Sequence, residues 1–289
     1  MSDVASPAVG SRRSRVLSAF SGGSSLVVGG TIIAVIVMLA ALAPWIAQDP
    51  NYMDIAARLE GPSAAHWLGT DNFGRDIFSR TLYGARVSLV VGLAAAALAV
   101  AIGLPIGLLS GFYRVLDAIL MRIMEGLMAI PTILLAIALI TAVSNAGVLM
   151  VIAAIAIPDS PRIARLVRSV VLRTREMTYV EAAVSIGNRD TSILVKHIMP
   201  STFPPLVVQA TYLVAAAILV EAGLSFLGTG ISQEWPTWGN MISSNRLYLA
   251  SAPWTVFFPG LMLTLTILAV NLVGDGLRDR LDPRAQRQL

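Results

Sequence analysis

The chain has 289 residues, of which 56% are hydrophobic and only 13% are charged, whereas a soluble domain of this size has about 25% charged residues. This composition indicates an integral membrane protein, and the net charge of +4 arises from basic residues beside apolar segments rather than from a nucleic-acid surface. The absence of cysteine excludes disulfides, thiolate metal sites and cysteine nucleophiles.

Six apolar segments approach the roughly 20 residues that a helix needs to cross a bilayer. They cover residues 26–46, 87–112, 119–143, 148–167, 206–227 and 256–273. The sequence therefore predicts an all-α polytopic membrane protein with six transmembrane helices. Pro131 lies inside the third segment, and Pro158 and Pro161 predict a break in the fourth.

The predicted spans divide the chain into regions that alternate between the two sides of the membrane. These are a cytoplasmic tail (1–25), a first transmembrane helix (26–47), an extracytoplasmic segment (48–85), a five-helix core (86–275) and a second cytoplasmic tail (276–289). Sixteen of the 21 lysines and arginines fall on the side of the N-terminus, which favours both termini in the cytoplasm. The first apolar run is too long for the core of a signal peptide, so we expect it to stay as an uncleaved span.

A basic, polar segment, residues 176–200 and here called the elbow, separates the fourth and fifth spans. Thr178 and Glu181 have the spacing of a capping box, which predicts a short helix over residues 179–186. Gly187 is the expected left-handed residue at its end. Asp190 or Thr191 is expected to cap a second short helix, 192–198, which Pro200 stops.

The extracytoplasmic segment carries a charged motif with Asp71, Arg75 and Asp76. We expect a helix from Asp71, with this aspartate either as its N-cap or, together with Arg75 and Asp76, as a brace for an outer gate or a docking surface. A second outer loop, residues 228–254, contains Trp235, Trp238 and Trp254, residues that are typical of the membrane–water interface.

Glu221 lies near the outer end of the fifth span, where an ionisable group is either part of a gate or pathway or a structural hydrogen-bonding group. Arg162, Arg165 and Arg168 recur at the inner end of the fourth span, a placement that favours contact with phosphate headgroups. His66 and His197 are predicted on opposite sides of the membrane, so no metal site is expected.

Three separated motifs resemble one family of transport proteins. The run EAAVSIGNRDTSILVKHIMP is similar to the EAA loop of ABC importer permeases, EAA-x3-G-x9-I-x-L-P, with His197 in place of isoleucine and Met199 in place of leucine. The runs HWLGTDNFGRDIFSRTLYGARVSLVVG and LVEAGLSFLGTG, the latter followed by WPTWGNMI, resemble the peptide-importer group. The chain is most similar to the C-type permease subunit of dipeptide and oligopeptide ABC importers, which are related to nickel importers.

The resemblance implies the type I importer fold, with the elbow as a cytoplasmic coupling helix in a bacterial cytoplasmic membrane. The implied partners are a B-type permease subunit, two separate ATPase subunits or one fused ATPase, and an extracytoplasmic binding protein. The residues implied in coupling are Glu181, Ala182, Ala183, Gly187, Arg189, His197 and Pro200.

The chain itself lacks a Walker A sequence around its only lysine, Lys196. ATP and Mg²⁺ are therefore expected on the ATPase partners, and this subunit is expected to be non-catalytic. Peptides are the expected cargo, with nickel chelates, haem or another small solute as alternatives. A stand-alone secondary transporter needs midplane ionisable groups, and an intramembrane enzyme needs a catalytic motif; the sequence favours neither.

Overall fold

The computed structural model describes residues 22–143 and 147–281, which form an all-α protein with a single isolated β-bridge between Thr70 and Asp76. The main helices are α1 (Gly22–Ile46), α2 (Ile77–Phe112), α3 (Arg114–Met128), α4 (Thr132–Thr141), α5 (Val148–Thr174), α6 (Thr178–Ser185), α7 (Phe203–Phe226), α8 (Trp238–Asn245) and α9 (Trp254–Leu281). Short 3₁₀ turns occupy Ile55–Ala57 and Arg246–Tyr248.

Four helical segments in the described part of the chain are long and apolar enough to cross a membrane. They are α1, α2, α9 and the continuous helical stretch Asp190–Phe226 that ends in α7. The bent pair α3–α4 qualifies as a fifth. The protein is thus a multi-pass membrane protein with four or five spans by this criterion, against the six predicted. Helix α5 is long enough, but Asp159, Arg162 and Arg165 interrupt its apolar character.

The predicted third span, 119–143, is not one helix. It divides into α3 and α4, whose axes differ by 90°. Pro131 stands at the bend with an extended backbone, φ −53° and ψ 130°. Proline lacks the N–H needed to continue the helical ladder and disfavours helical geometry in the residue before it, so the helix ends before Pro131 and restarts at Thr132.

The predicted break in the fourth span is wrong, because α5 runs without interruption through Pro158 and Pro161. Pro161 cannot donate to the carbonyl of Ile157 four residues earlier. The hydroxyl of Ser160 donates to that carbonyl instead, at 2.8 Å. A serine hydroxyl that satisfies a freed carbonyl is one way in which membrane helices tolerate proline.

Helix α2 begins at Ile77, ten residues before the predicted span, and its N-cap is Asp76 rather than Asp71. The Asp76 carboxylate accepts hydrogen bonds from the backbone N–H and the hydroxyl of Ser79, both at 2.7 Å. Gly74 has a φ of +74°, a left-handed conformation that separates Asp71 from the helix. The expected helix from Asp71 is therefore replaced by a turn.

Glycines bring α2 and α5 into backbone contact. Gly103, Gly107 and Gly111, spaced by four residues on α2, pack against residues 160–163, 164–167 and 168–171 of α5. The two helices therefore run parallel. A Cβ on Gly107 would lie 2.5 Å from the Ala164 carbonyl oxygen and 2.6 Å from the Val167 Cβ. Small residues at four-residue spacing allow this close packing between membrane helices.

Helix α2 connects two functional ends of the bundle. Its 36 residues extend over about 54 Å at 1.5 Å per residue. At its C-terminal end, the elbow packs against a core formed by α2, α5 and α7. At its N-terminal end lies a folded region, residues 48–76 and 228–253, which we call the cap. The start of α1 contacts the end of α9 near Gly276.

The glycine contacts predict that adding a single methyl group lowers the stability of the protein at some glycines and not at others. We expect Gly107→Ala to destabilise the protein by about 1–3 kcal/mol through overpacking. Gly30→Ala in α1 is the matched control, since nothing lies within 4 Å of a Cβ at that position. Thermal unfolding in detergent, followed by size-exclusion chromatography, measures both. Equal melting temperatures for the two variants would contradict the close approach of α2 and α5.

Candidate functional site

The first half of the elbow is helix α6, but the predicted capping box does not form. The N-cap is Met177, no side chain caps the helix, and Thr178 is its first helical residue. The backbone N–H of Glu181 donates to the Met177 carbonyl at 3.1 Å, within the helical ladder. Glu181 is therefore one position too far along the helix to bond back to an N-cap, and its side chain is exposed.

Gly187 ends α6 as predicted, with a φ of +80°. The N–H of Asn188 donates to the Ala183 carbonyl at 3.2 Å, and the N–H of Gly187 donates to the Val184 carbonyl at 2.9 Å. This pair of bonds is a Schellman motif, which satisfies carbonyls at the end of a helix and requires a left-handed residue. The turn between the two halves of the elbow is thus fully hydrogen-bonded.

The second half of the elbow is helical but not a separate capped helix. An α-helical turn (Asp190–Ser192) leads into a π-helix (Ile193–Ile198) and a 3₁₀ turn (Met199–Thr202), which continues into α7. Its N-cap is Arg189, which makes no side-chain cap bond, so the predicted caps Asp190 and Thr191 are wrong. Pro200 does not stop the helix, because it stands in the first turn of the 3₁₀ segment, where a missing N–H costs little.

The elbow has one buried and one exposed face. Val180 and Ala183 of α6, with Ile193, Leu194 and Ile198 of the second half, pack into the core of α2, α5 and α7. The exposed positions of α6 and its C-terminal turn include Glu181, Ala182, Val184, Ser185 and Ile186. Ile186 is 79% exposed although it is aliphatic. Such a surface is rigidly mounted and partly apolar, which suits contact with another protein.

Polar contacts hold the elbow from its start, from within and from the end of α2. Arg175, directly before the elbow, donates to the Gly111 carbonyl at the end of α2 at 3.2 Å. Within the elbow, Tyr179 donates to the His197 carbonyl at 3.3 Å. Tyr113 donates to the Asp190 carboxylate at 3.4 Å. Partial desolvation and the negative charge of Asp190 raise the pKa of the Tyr113 phenol.

The predicted coupling residues lie together in the elbow but differ in exposure. Ala183 is buried, whereas Ala182, Gly187, Arg189 and Pro200 are exposed. His197 is half-buried, and its Nδ1 has no hydrogen-bond partner among the described residues. His66 lies at the other end of α2, with Nδ1 3.1 Å from an Asp76 oxygen, so the two histidines are far apart.

At the cap, the structure brings Asp71, Arg75 and Asp76 together, all nearly buried. Arg75 Nε donates to Asp71 Oδ2 at 2.7 Å. The other Asp71 oxygen accepts from the backbone N–H groups of Phe73 and Arg75, at 2.8 and 3.0 Å. Asp71 therefore organises the turn before α2, while Asp76 starts the helix itself.

Sequence reasoning did not single out Arg80, although it completes this group. Its guanidinium is 1% exposed, lies 3.9 Å from Asp71 and donates to the Pro50 carbonyl at 2.9 Å. One buried carboxylate thus lies beside two buried arginines. The sequence signal that could have identified Arg80 is its position in the first turn of α2, directly before the apolar part of that helix.

Two tryptophans join the cap to the adjoining helices α2 and α9. Trp238 is fully buried and donates to the Thr81 carbonyl at 3.1 Å, and Trp254 donates to the Thr70 carbonyl at 3.3 Å. Trp238 thus fills a protein core rather than lying at a membrane interface as predicted. Trp235 is 55% exposed.

Glu221 is fully buried in α7, beneath helix α8 of the cap. Its Oε1 accepts from the Ser225 hydroxyl at 2.8 Å, and the hydroxyls of Ser88 and Thr237 lie close to the carboxyl group. Its Oε2 has no partner that meets hydrogen-bond geometry in the described part of the chain. The group links α2, α7 and the cap, and it is separate from the Asp71 turn.

A further buried carboxylate, Asp159 in α5, was not identified from the sequence. It is 2% exposed and adjoins a narrow void between α2, α5 and α7 that is lined mainly by alanines. Arg162 lies 3.3 Å from it. An aspartate between two prolines in an apolar segment was the signal that could have identified it.

The other two arginines of this stripe also have protein neighbours. Arg168 donates two hydrogen bonds to Asp117, and Arg165 lies 3.1 Å from the Met128 sulfur. The Arg168 and Arg165 contacts join α5 to α3, whereas Arg162 and Asp159 pair within α5. Arg162 and Arg165 remain exposed, so contact with headgroups stays a prediction for them.

A cavity of about 900 Å³ opens at the cap end. Its walls include Tyr83, Arg86 and Val90 of α2, Val148 of α5, and Glu234 and Trp235 of the cap. It therefore presents charges of both signs beside apolar and aromatic surface.

Comparison with known proteins agrees with this architecture. Residues 103–287 match the family described as "binding-protein-dependent transport system inner membrane component", and residues 14–62 match the "N-terminal TM domain of oligopeptide transport permease C". An inward-facing MetNI methionine ABC transporter has a chain that superposes with a TM-score of 0.57 at 20% identity, covering 69% of this chain and 94% of that chain. This likeness shows the importer permease fold.

Several curated proteins are similar over nearly the whole chain. A probable peptide ABC transporter permease of Sinorhizobium fredii is 54% identical over 91% of this chain and 90% of its own. The dipeptide permease DppC of Alkalihalophilus pseudofirmus is 44% identical over 89% of this chain and 85% of its own. The glutathione permease GsiD of Pectobacterium atrosepticum is 44% identical over 88% of this chain and 83% of its own.

These relatives are non-catalytic permease subunits of ABC transporters, and this chain is likewise a permease subunit rather than an enzyme. Importers of this type work with ATPase subunits and a substrate-binding protein. The long family match, the permease fold and these relatives lead to one conclusion: the chain belongs to the family of binding-protein-dependent transport system inner membrane components.

Proposed function

We propose that this permease subunit forms half of the translocation pathway for di- and oligopeptides and is driven through the elbow by separate ATPase subunits. The observation that carries the proposal is the mounting of the elbow. A hydrogen-bonded turn at Gly187 joins two helical halves whose inner faces are buried in the α2–α5–α7 core. A displacement applied to the exposed face is then passed to the spans instead of being absorbed by a loose loop.

The arrangement of chain ends supports a cytoplasmic elbow and cytoplasmic termini in a bacterial inner membrane. The start of α1 lies against the end of α9, and the end of α9 and the start of α7 share one groove with the elbow. Arginine and lysine concentrate at this end of the bundle, in keeping with the positive-inside rule. Helix α5, parallel to α2, completes the proposed set of six spans.

Peptide cargo is supported by the named specificities of the relatives and by the cavity at the cap. A peptide carries an ammonium group, a carboxylate and side chains that are often apolar. Arg86 and Glu234, beside Tyr83 and Trp235, offer complementary charge and aromatic surface. We therefore assign the mouth of the pathway to this cavity.

The partners follow from the incomplete nature of a single permease. We propose a heterodimer with a B-type permease subunit, an extracytoplasmic binding protein that docks at the cap, and ATP with Mg²⁺ bound by the ATPase partners. ATP changes the conformation because it binds one arrangement of the ATPases more tightly than the other. Glu181, Ala182, Arg189 and Ile186 form the proposed ATPase-facing surface, while Gly187, His197 and Pro200 shape it.

At the other end, we propose that Asp71, Arg75 and Asp76 brace the outer gate and that Glu221 belongs to the gate itself. The brace sets the start of α2, and Glu221 links α2 and α7 to helix α8 of the cap. A movement of α7 driven from the elbow would therefore reach the cap through this carboxyl group.

The first test concerns docking. We expect Ile186→Ser to weaken copurification of the ATPase subunits about 10- to 100-fold, the value of burying one large aliphatic side chain, with no change in the chain's thermal stability. Leu247→Ser is the matched control, because Leu247 is 84% exposed at the cap end. Quantitative pull-down of the assembled transporter measures both. Undiminished ATPase binding by Ile186→Ser would argue against docking at the elbow.

The second test concerns stiffness. Gly187→Val places a β-branched residue at a φ of +80°, at a cost of about 1–2 kcal/mol. We expect uptake per ATP hydrolysed to fall severalfold in proteoliposomes. Gly126→Val is the control, since both glycines have open space around the new Cβ but only Gly187 has a positive φ. Normal coupling in Gly187→Val would remove the need for a rigid turn.

The third test concerns the brace. Asp71→Asn leaves Arg75 and Arg80 buried without their shared charge partner, a change that costs about 3–5 kcal/mol. We expect a lower melting temperature and faster proteolysis within residues 48–76. Glu125→Gln is the control, because its ion pair with Arg122 is largely exposed and contributes about 0–1 kcal/mol. Equal effects of the two variants would show that Asp71 does not brace the cap.

A further inference from the structure

A groove of about 770 Å³ lies between α5, α7 and α9 at the elbow end of the bundle. None of the coupling residues named above lines it. Its walls combine two arginines, Arg173 and Arg278, with hydroxyl and amide groups and an apolar surface. We propose that this groove binds one anionic phospholipid, with the phosphate between the two arginines and an acyl chain along the apolar wall.

The two arginines supply the charge that a phosphate needs. Both are exposed, one at the end of α5 and the other near the end of α9. Neither forms an ion pair with a carboxylate in the described part of the chain, in contrast to Arg162 and Arg168. Among the described residues that line the groove there is no aspartate or glutamate. Paired basic side chains between membrane helices favour anionic headgroups.

Neutral groups complete the polar part. Gln209 and Tyr212 of α7 line the groove, and the Arg278 side chain lies close to the Tyr212 hydroxyl. That hydroxyl donates to Asp275 at 2.5 Å. The tyrosine therefore engages the nearby carboxylate of α9, and two guanidinium groups still outweigh that one acid.

The order of side chains along the helices distinguishes a lipid from a soluble phosphate. Val170 and Leu166 lie on the same wall as Arg173. They are about 5 and 10 Å from Arg173 along the helix axis, towards the N-terminal end of α5. Val208 of α7 also lines the groove, several residues inside that helix. Charge at the helix ends with apolar surface behind it matches a headgroup and its acyl chain. A free phosphate gains nothing from the apolar part.

Met177 and Tyr179 of the elbow also border the groove. A bound lipid would therefore bridge α5, α7 and α9 directly beside the start of α6. This inference needs only the membrane location of the chain, and it does not depend on peptide cargo or on coupling through the elbow.

The test uses the full-length chain in its assembled transporter, purified from membranes in mild detergent. Native mass spectrometry counts bound lipid during titration with phosphatidylglycerol, with phosphatidylcholine and with water-soluble glycerol phosphate. The variants are Arg173→Gln/Arg278→Gln and the control Arg122→Gln/Arg165→Gln, which removes the same charge from exposed arginines of α3 and α5 outside the groove.

Each basic residue contributes about a fivefold preference for an anionic headgroup, so the groove variant should bind phosphatidylglycerol roughly 30-fold more weakly. The control and the conservative Arg173→Lys/Arg278→Lys variant should stay within a few fold of the unmodified protein. Phosphatidylcholine should bind more weakly and equally to all variants.

Three results would overturn the proposal. The control variant could lose as much affinity as the groove variant, phosphatidylcholine could bind as well as phosphatidylglycerol, or glycerol phosphate could displace the lipid at equal concentration. The last result would identify a site for soluble phosphates. Because the readout is bound lipid, failure here leaves the tests of ATPase docking and peptide uptake unaffected.

Discussion

The backbone contact between α2 and α5 is the constraint on which the other features of this protein depend. In a bilayer, lipid tails are as apolar as the side chains, so helices gain little from hydrophobic burial and associate through close packing. Gly103, Gly107 and Gly111 permit that packing over two turns of both helices. The resulting parallel pair spans the molecule. It sets the distance between cap and elbow and the direction in which a force at one end acts at the other.

The elbow takes its stiffness from this pair. Its turn at Gly187 is closed by backbone hydrogen bonds, and its inner face is part of the same core that holds α2 and α5 together. The exposed face is free for a partner because none of its side chains is needed for that packing. The proposed function as a lever requires that one face of the elbow anchors it and the other face contacts the partner. A residue that both anchored the elbow and contacted the ATPase could not do the second without disturbing the first.

Charge inside an apolar chain is costly, and this protein confines it to defined positions. Asp71 lies beside both Arg75 and Arg80 at the cap, Asp159 lies beside Arg162 in α5, and hydroxyl groups lie close to Glu221 under α8. Asp71 and Glu221 each link two or more segments, whereas Asp159 pairs within its own helix. Charges of this kind are expected at moving parts of membrane transporters, because their pairing differs in energy between conformations.

The sequence by itself determined the features that depend on local interactions. Apolar runs marked the long helices, and a helix former, a glycine and a second helical run marked the elbow, including the left-handed Gly187. Tertiary structure decided what local rules leave open. Pro131 bends the chain by 90°, yet Pro158 and Pro161 do not, since Ser160 and tight packing on α2 replace the lost support. Likewise, Arg80 meets Asp71 and Trp238 fills a core only because distant segments fold together. These contacts cannot be predicted from residue spacing in the sequence, because they depend on how the helices pack against one another.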